Sequence, residues 1–200
     1  MIRTAAVAAL FSLLGLGAVS TPARADAAKD RANAVSAAVL EQVKDGLWQT
    51  ADHYWHDGDY NRIVALGRLI VEIDPSFEEA FDSCAWLLWS LGDTKGADDF
   101  LAYGVTVSPR KGIFYSNLGQ HLNRTKRYQE ALEYLKKAVE LGGVPASAYS
   151  TLGHLYTQFG KLQEAVDTWK ACVAKYPKFP AGPKNLKAAE QRLAASKSGG

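Results

Sequence analysis

The side chains best suited to chemistry in this 200-residue chain include four histidines and two cysteines. His53 and His56 stand three positions apart, beside Asp52, Asp57 and Asp59. Imidazole and carboxylate groups are ligands of transition metals, so this cluster could bind a metal if a third ligand converged on it. The spacing is loose, and the polar end of a helix accounts for the same residues. We therefore expect no metal and no cofactor.

Sequence signatures of catalysis are absent. The chain holds no nucleophile elbow, Walker phosphate loop, haem-attachment CxxCH or HExxH zinc helix. The composition, 48% hydrophobic and 22% charged, is that of an ordinary globular chain, with 23 Lys and Arg against 21 Asp and Glu. This balance gives no reason to expect a nucleic-acid partner. We predict that the protein is not an enzyme and that it works by binding.

The first 25 residues have the pattern of a secretory signal peptide. Arg3 precedes an apolar run from Ala5 to Val19, and the segment that follows ends in an Ala-x-Ala cleavage pattern at Ala25. The apolar run has about 15 residues, where a membrane-spanning helix needs roughly 20. We therefore predict cleavage after residue 25, a periplasmic or secreted mature chain, and no membrane span after cleavage.

A 34-residue period organises the remainder of the chain. Two sets of turn-forming residues recur at this spacing: Pro75, Pro109 and Pro177, and Gly58, Gly92 and Gly160, with Lys126 in the gap of the second set. Small residues also recur at positions 8, 20 and 27 of units that begin at Lys44, Glu78, Gly112 and Ala146. Small residues at such positions let two antiparallel helices pack closely, so each unit is expected to be a helical hairpin.

This pattern resembles the tetratricopeptide repeat family, whose motif places Trp, Leu, Gly, Tyr, Ala, Phe, Ala and Pro at positions 4, 7, 8, 11, 20, 24, 27 and 32. The resemblance implies an all-α fold, a right-handed α-solenoid of four hairpins at 44–77, 78–111, 112–145 and 146–177. The first unit departs most, with Ile63 at position 20. The second carries Gly104 where alanine is usual, at a cost of up to about 1 kcal/mol in helix propensity.

Flanking helices and two core cysteines complete the expected architecture. Because the ends of a solenoid need capping, residues 26–43 and 178–195 are predicted to be terminal helices, with a flexible tail at 196–200. Cys84 and Cys172 occupy core positions two repeats apart. That separation exceeds the ~7 Å between Cα atoms that a disulfide allows, so both are expected to be buried free thiols.

The family resemblance also implies a concave groove lined by the first helix of each hairpin. Residues at or beside its groove positions are candidate partner-binding residues: Trp48, Asp52, Trp55, Asp82, Trp86, Trp89, Asn117, Gln120, Asn123, Arg124 and His154. Four of the five tryptophans fall in the first half of this groove, between carboxylates. Because exposed indoles offer large binding surfaces, we predict a protein-interaction adapter or assembly scaffold that binds an extended segment of another protein.

Three other interpretations of the groove bear on this prediction. The helix at 26–43 could cover the tryptophans and make them core, or the indoles beside Asp52 and Asp82 could stack on the sugar rings of a glycan or cell-wall polymer. The carboxylate clamp known in the family is not supported, because Trp48 and Asp52 hold its early positions. Asn117, Asn123 and Arg124 could still meet an acidic partner.

Charge is strongly segregated along the chain. Residues 26–108 hold 15 acidic and 6 basic side chains, a net charge of −9, and residues 109–200 hold 15 basic and 6 acidic side chains, a net charge of +9. Such asymmetry steers charged partners and favours head-to-tail association of copies. Drift in the composition of solvated helix faces would produce the same segregation without any function.

Overall fold

The computed structural model describes residues 22–198, with side chains from residue 26 onward. These residues form nine helices: α1 Pro22–Asp57, α2 Tyr60–Ile73, α3 Glu78–Ser90, α4 Thr94–Val107, α5 Lys111–Arg124, α6 Tyr128–Leu141, α7 Ala146–Gln158, α8 Leu162–Lys175 and α9 Ala181–Ser198. The predicted signal peptide lies outside the described residues as far as residue 21. Within the described range, no helix has both the length and the apolar character needed to cross a membrane.

Helical hairpins repeat along residues 44–198. The second helices α2, α4, α6 and α8 begin at residues 60, 94, 128 and 162, a spacing of 34 residues. The helices of each of the last three hairpins pack against each other, and successive hairpins meet through α2 with α3, α4 with α5, and α6 with α7. α9 packs on α8. The all-α solenoid of four hairpins predicted from the sequence is confirmed.

Small residues allow the later hairpins to close tightly. Ala97, Ala131 and Ala165 hold the same position in α4, α6 and α8 and are fully buried, whereas α2 has the larger Ile63 there. Packing explains why glycine occupies position 104 in spite of its low helix propensity. A Cβ atom at Gly104 would lie 2.5 Å from the Phe114 ring and 2.9 Å from the Phe81 ring. The missing side chain therefore makes room for these two rings.

The turns inside the four hairpins share one left-handed residue. Gly58, Gly92 and Gly160 adopt φ values of +72°, +91° and +71°, and Lys126 adopts +64° at the equivalent place. Left-handed backbone costs a residue with a side chain roughly 1 kcal/mol, and glycine avoids most of this cost. The third hairpin thus keeps its turn geometry despite an unfavourable residue.

The two terminal helices differ in length from the sequence expectation. α1 continues without a turn from residues 26–43 into the first repeat, where the sequence analysis places a boundary at residue 44. Gly46 weakens a helix by only about 1 kcal/mol, and α1 holds no proline beyond its first residue, so nothing stops the helix there. Residues 26–43 form a unit of their own with exposed side chains, among them Val35 and Val39. At the other end, α9 continues through Ser198.

Candidate functional site

A cavity of about 350 Å³ opens beside α3 and α5. We call it the tryptophan cavity, and its lining residues are Trp55, Asp82, Ser83, Ala85, Trp86, Leu101, Asn117, Gln120, His121 and Arg124. Six of these are candidate residues from the sequence analysis. A smaller hollow of about 120 Å³ is lined in part by Trp48, Asp52 and Trp55. The two spaces share Trp55 and Ser83 and form one concave track.

Two exposed indoles form the aromatic wall of the tryptophan cavity. The ring centroids of Trp55 and Trp86 lie 6.0 Å apart with their planes tilted by 34°. Trp55 is 44% exposed and Trp86 is 43% exposed. Trp55 also contacts the Tyr60 ring, which follows it across the first turn. This pair therefore keeps a large apolar surface accessible although its rings are held in place by neighbours.

The other two groove tryptophans are half-buried. Trp48 packs edge-to-face on Phe77, with ring centroids 5.3 Å apart. The guanidinium carbon of Arg124 lies 5.4 Å from the centre of the Trp89 ring. Trp48 and Trp89 thus hold other side chains in position, and Trp55 and Trp86 carry more of the free aromatic surface.

Asp82 places a carboxyl group next to this wall. Solvent reaches its side chain, yet the protein that surrounds it in the concave track desolvates the carboxylate and raises its pKa to about 6. The neighbouring carboxylates of Glu78 and Glu79 also raise the pKa of Asp82, and the Arg124 guanidinium acts in the opposite direction. The group is therefore ionised at neutral pH but less stable in that form than an ordinary surface aspartate.

Two amide side chains line the cavity from α5. Asn117 is nearly buried, and its Nδ2 donates to Glu78 Oε1 at 3.4 Å. Nε2 of Gln120 donates to Ser116 Oγ at 3.3 Å. Both amide nitrogens therefore engage the protein, and both carbonyl oxygens remain as acceptors for a ligand.

A buried polar cluster below the cavity was not predicted from the sequence. His121 is 2% exposed, and its Nε2 lies 3.0 Å from Asp98 Oδ1, without the alignment of a good hydrogen bond. Arg127 binds the other oxygen of Asp98 and also pairs with Glu130 at 2.6 Å. Burial lowers the pKa of His121, while the nearby Asp98 raises it. The imidazole is thus held largely neutral between α4 and α6.

A comparison of equivalent positions in the four repeats would have indicated this cluster from the sequence. His121 is the tenth residue of its unit, where the second and fourth units have Leu87 and Leu155. Asp98 stands at the twenty-first position, where the other units have buried apolar residues: Val64, Leu132 and Val166. Two polar residues replace core residues in adjacent hairpins and meet in space.

Four other candidates lie outside the tryptophan cavity. Asn123 is half-buried farther along α5, and His154 lies on α7 with its ring edge-to-face on Trp169. His53 and His56 each lie within 4 Å of an aspartate one helical turn away on α1, at 3.8 Å and 3.9 Å. Among residues 22–198, no three His, Cys, Asp or Glu side chains converge as ligands of a metal would.

Both cysteines are buried and free, as predicted. The Cys84 sulfur lies 3.8 Å from the backbone oxygen of Ile63. Burial raises the pKa of Cys84 to about 12 and also raises that of Cys172. Neither thiol forms the reactive thiolate at neutral pH, so both act as core residues.

Comparison with known proteins points to one repeat family. The model of the tetratricopeptide repeat family matches residues 111–178, which are α5 to α8 and the start of the segment that follows. The small glutamine-rich tetratricopeptide repeat-containing protein 2 of Mycosarcoma maydis is 28% identical over 99 residues. That match covers 48% of this chain but only 28% of the relative.

Solved structures share the fold at low sequence identity. PilF of Pseudomonas aeruginosa aligns with a TM-score of 0.59 at 20% identity, over 78% of this chain and 71% of PilF. YrrB, described as a tetratricopeptide repeat protein with an unusual peptide-binding site, aligns with a TM-score of 0.52 at 22% identity, over 72% and 74%. These solved structures show the same fold, and the family model identifies residues 111–178 as tetratricopeptide repeats.

Proposed function

We propose that this tetratricopeptide-like protein is an interaction scaffold that binds an extended segment of a partner polypeptide along the concave track. The observation that carries this proposal is the exposed Trp55–Trp86 pair beside the Asp82 carboxyl group. Exposed aromatic surface next to a cavity is the usual mark of a binding site, and no catalytic arrangement accompanies it. This proposal assigns the protein a function in binding.

Two further observations support the proposal. YrrB combines the same fold with a peptide-binding site, which shows that such a solenoid accommodates a peptide. The signal-peptide pattern of residues 1–25 supports export of the mature chain to the periplasm or out of the cell, and the proposed partner is accordingly an exported protein.

Glycan binding is the second candidate function. Adjacent indoles flanked by Asp52 and Asp82 are able to stack on sugar rings and accept hydrogen bonds from sugar hydroxyls. A tilt of 34° between the two rings gives no flat platform, which favours the irregular surface of a polypeptide. Immobilised mature protein separates the two functions, because it retains either exported polypeptides or cell-wall polysaccharide.

Cross-linking of the exported fraction followed by mass spectrometry tests the proposal directly. We expect the mature protein to capture specific polypeptides, and Trp55→Ala combined with Trp86→Ala to abolish that capture while helicity is unchanged. Leu69→Ala combined with Leu141→Ala is the matched control, because it removes exposed apolar side chains away from the cavity. Equal capture by the tryptophan variant and the control would refute the assignment.

A further inference from the structure

The lining of the tryptophan cavity is selective in chemistry as well as in shape. We propose that the cavity binds a basic side chain, arginine or lysine, of the partner segment between Trp55, Trp86 and Asp82. This inference rests on the proposed function and names the chemistry of the partner that the groove accepts.

Three side chains of the cavity lining offer acceptor oxygens to a ligand: Asp82, Asn117 and Gln120. The Asp82 carboxylate offers two oxygens, and the internal hydrogen bonds of Asn117 and Gln120 use their nitrogens and leave their carbonyl oxygens. Arginine and lysine side chains carry only donors and therefore match these oxygens. A carboxylate ligand could reach Arg124, but it would also be repelled by the Asp82 carboxylate. The cavity is thus complementary to a donor-rich cation.

The aromatic wall offers a second contact to the same cation. Arg124, which lines the cavity, already rests on the indole of Trp89, a residue outside the lining, at 5.4 Å, so the protein itself holds a guanidinium on an indole beside the cavity. In the described part of the chain, no Lys or Arg lies over Trp55 or Trp86 in this way. These two rings therefore remain available for a cation brought by the partner.

Charge around the cavity points the same way. Glu78 and Glu79 lie close enough to Asp82 to raise its pKa, and Asp52 lines the neighbouring hollow. Arg124 is the one cation among the residues that line the cavity, and its guanidinium is already stacked on Trp89. Glu78 already pairs with Arg110 at 3.5 Å, but the Asp82 carboxylate remains desolvated and close to acidic neighbours. A basic side chain beside Asp82 therefore gains more here than at an ordinary surface.

Small capped amino acids test this inference without knowledge of the partner. The probes are N-acetyl-arginine N-methylamide, its uncharged isostere N-acetyl-citrulline N-methylamide, and N-acetyl-glutamate N-methylamide, titrated into the mature protein. Indole Nε1–H resonances report binding, with assignments from Trp55→Phe and Trp86→Phe variants. We expect the arginine probe to shift both resonances at millimolar concentration, with affinity about tenfold above that of the citrulline probe.

Asp82→Asn supplies the second arm of the test. It should weaken the arginine probe by about tenfold and leave the citrulline probe unchanged, whereas Asp167→Asn on α8, which makes the same charge change away from the cavity, should alter neither. Equal binding of the arginine and citrulline probes, tighter binding of the glutamate probe, or no binding of any probe would overturn the inference. Capture of polypeptides in the cross-linking experiment together with any of these results would leave the scaffold function standing with a different recognition chemistry.

Discussion

Asp82 shows at the scale of one residue how binding and stability oppose each other. Its carboxylate is desolvated and lies near two other carboxylates, and the protein holds its pKa at about 6 instead of 3.8. Folding therefore favours the protonated form of this side chain, and the charged form destabilises the fold. A carboxylate that destabilises the fold in this way is retained more easily if it helps to bind a ligand.

Asp82→Asn is expected to stabilise the protein at neutral pH. Because the folded pKa lies above the unfolded one, the free energy of unfolding falls as pH rises from about 4 to about 6, and the penalty is fully present above that range. The variant removes this penalty and should raise the free energy of unfolding near pH 7 by about 1 kcal/mol. This is less than the full pKa shift would correspond to, because solvent screens the partly exposed carboxylate. Urea unfolding at pH about 7 and about 4 measures this, and an equal effect at both pH values would contradict it.

At the scale of helices, the polar cluster forms the link between the second and third hairpins. Asp98 on α4 meets His121 on α5 and Arg127 at the start of α6. Asp98 stands where the other three hairpins have valine or leucine, and His121 stands where the second and fourth hairpins have leucine. The two residues depend on each other, because either one alone would leave a polar group buried among apolar neighbours.

Paired substitution tests this dependence. Asp98→Leu alone should lower the free energy of unfolding by about 2 kcal/mol, because it leaves the buried His121 without its polar partner and removes one of the two ion pairs of Arg127. Asp98→Leu with His121→Leu should recover at least half of that loss by restoring the apolar pattern. Denaturant unfolding of the wild type, the two single variants and the double variant gives the coupling free energy between the two residues. A second cycle with His154→Leu in place of His121→Leu is the distant control. Additive effects of Asp98→Leu and His121→Leu would show that the two residues act independently.

The elements of the structure also differ in how far the sequence predicts them. The hairpins were predictable because glycine and proline punctuation and the buried alanines repeat with the packing of the helices. The contact between Asp98 and the buried His121 joins two neighbouring repeats, so no single repeat displays it, and only a comparison of the repeats position by position shows that each residue stands where other repeats have apolar ones. Trp48 and Trp89 share the groove pattern of Trp55 and Trp86, and only their contacts with Phe77 and Arg124 show that they are the more buried pair.

The charge distribution belongs to the whole molecule. The change from a net charge of −9 to +9 falls at residue 109, between the end of α4 and the start of α5. The tryptophan cavity opens near this boundary, and most residues of the concave track belong to the acidic part of the chain. A basic segment of a partner would therefore be attracted over a longer distance than the cavity alone spans.

The same distribution predicts association between copies at low ionic strength. The acidic half of one molecule and the basic half of another should attract when screening is weak, and the attraction should be lost near physiological salt, where the Debye length is about 8 Å. Sedimentation velocity at low and physiological ionic strength measures this. We expect a larger species at low salt only. Monomers under both conditions would rule out head-to-tail association.

Hairpins that pack mainly on their neighbours carry an evolutionary consequence. Since the second helices begin every 34 residues, a gene can lose or duplicate a block of 34 codons and still encode a continuous stack. The residues that line the tryptophan cavity all come from the first three hairpins. The length of such a protein is thus free to vary beyond the third hairpin while the recognition end is inherited unchanged.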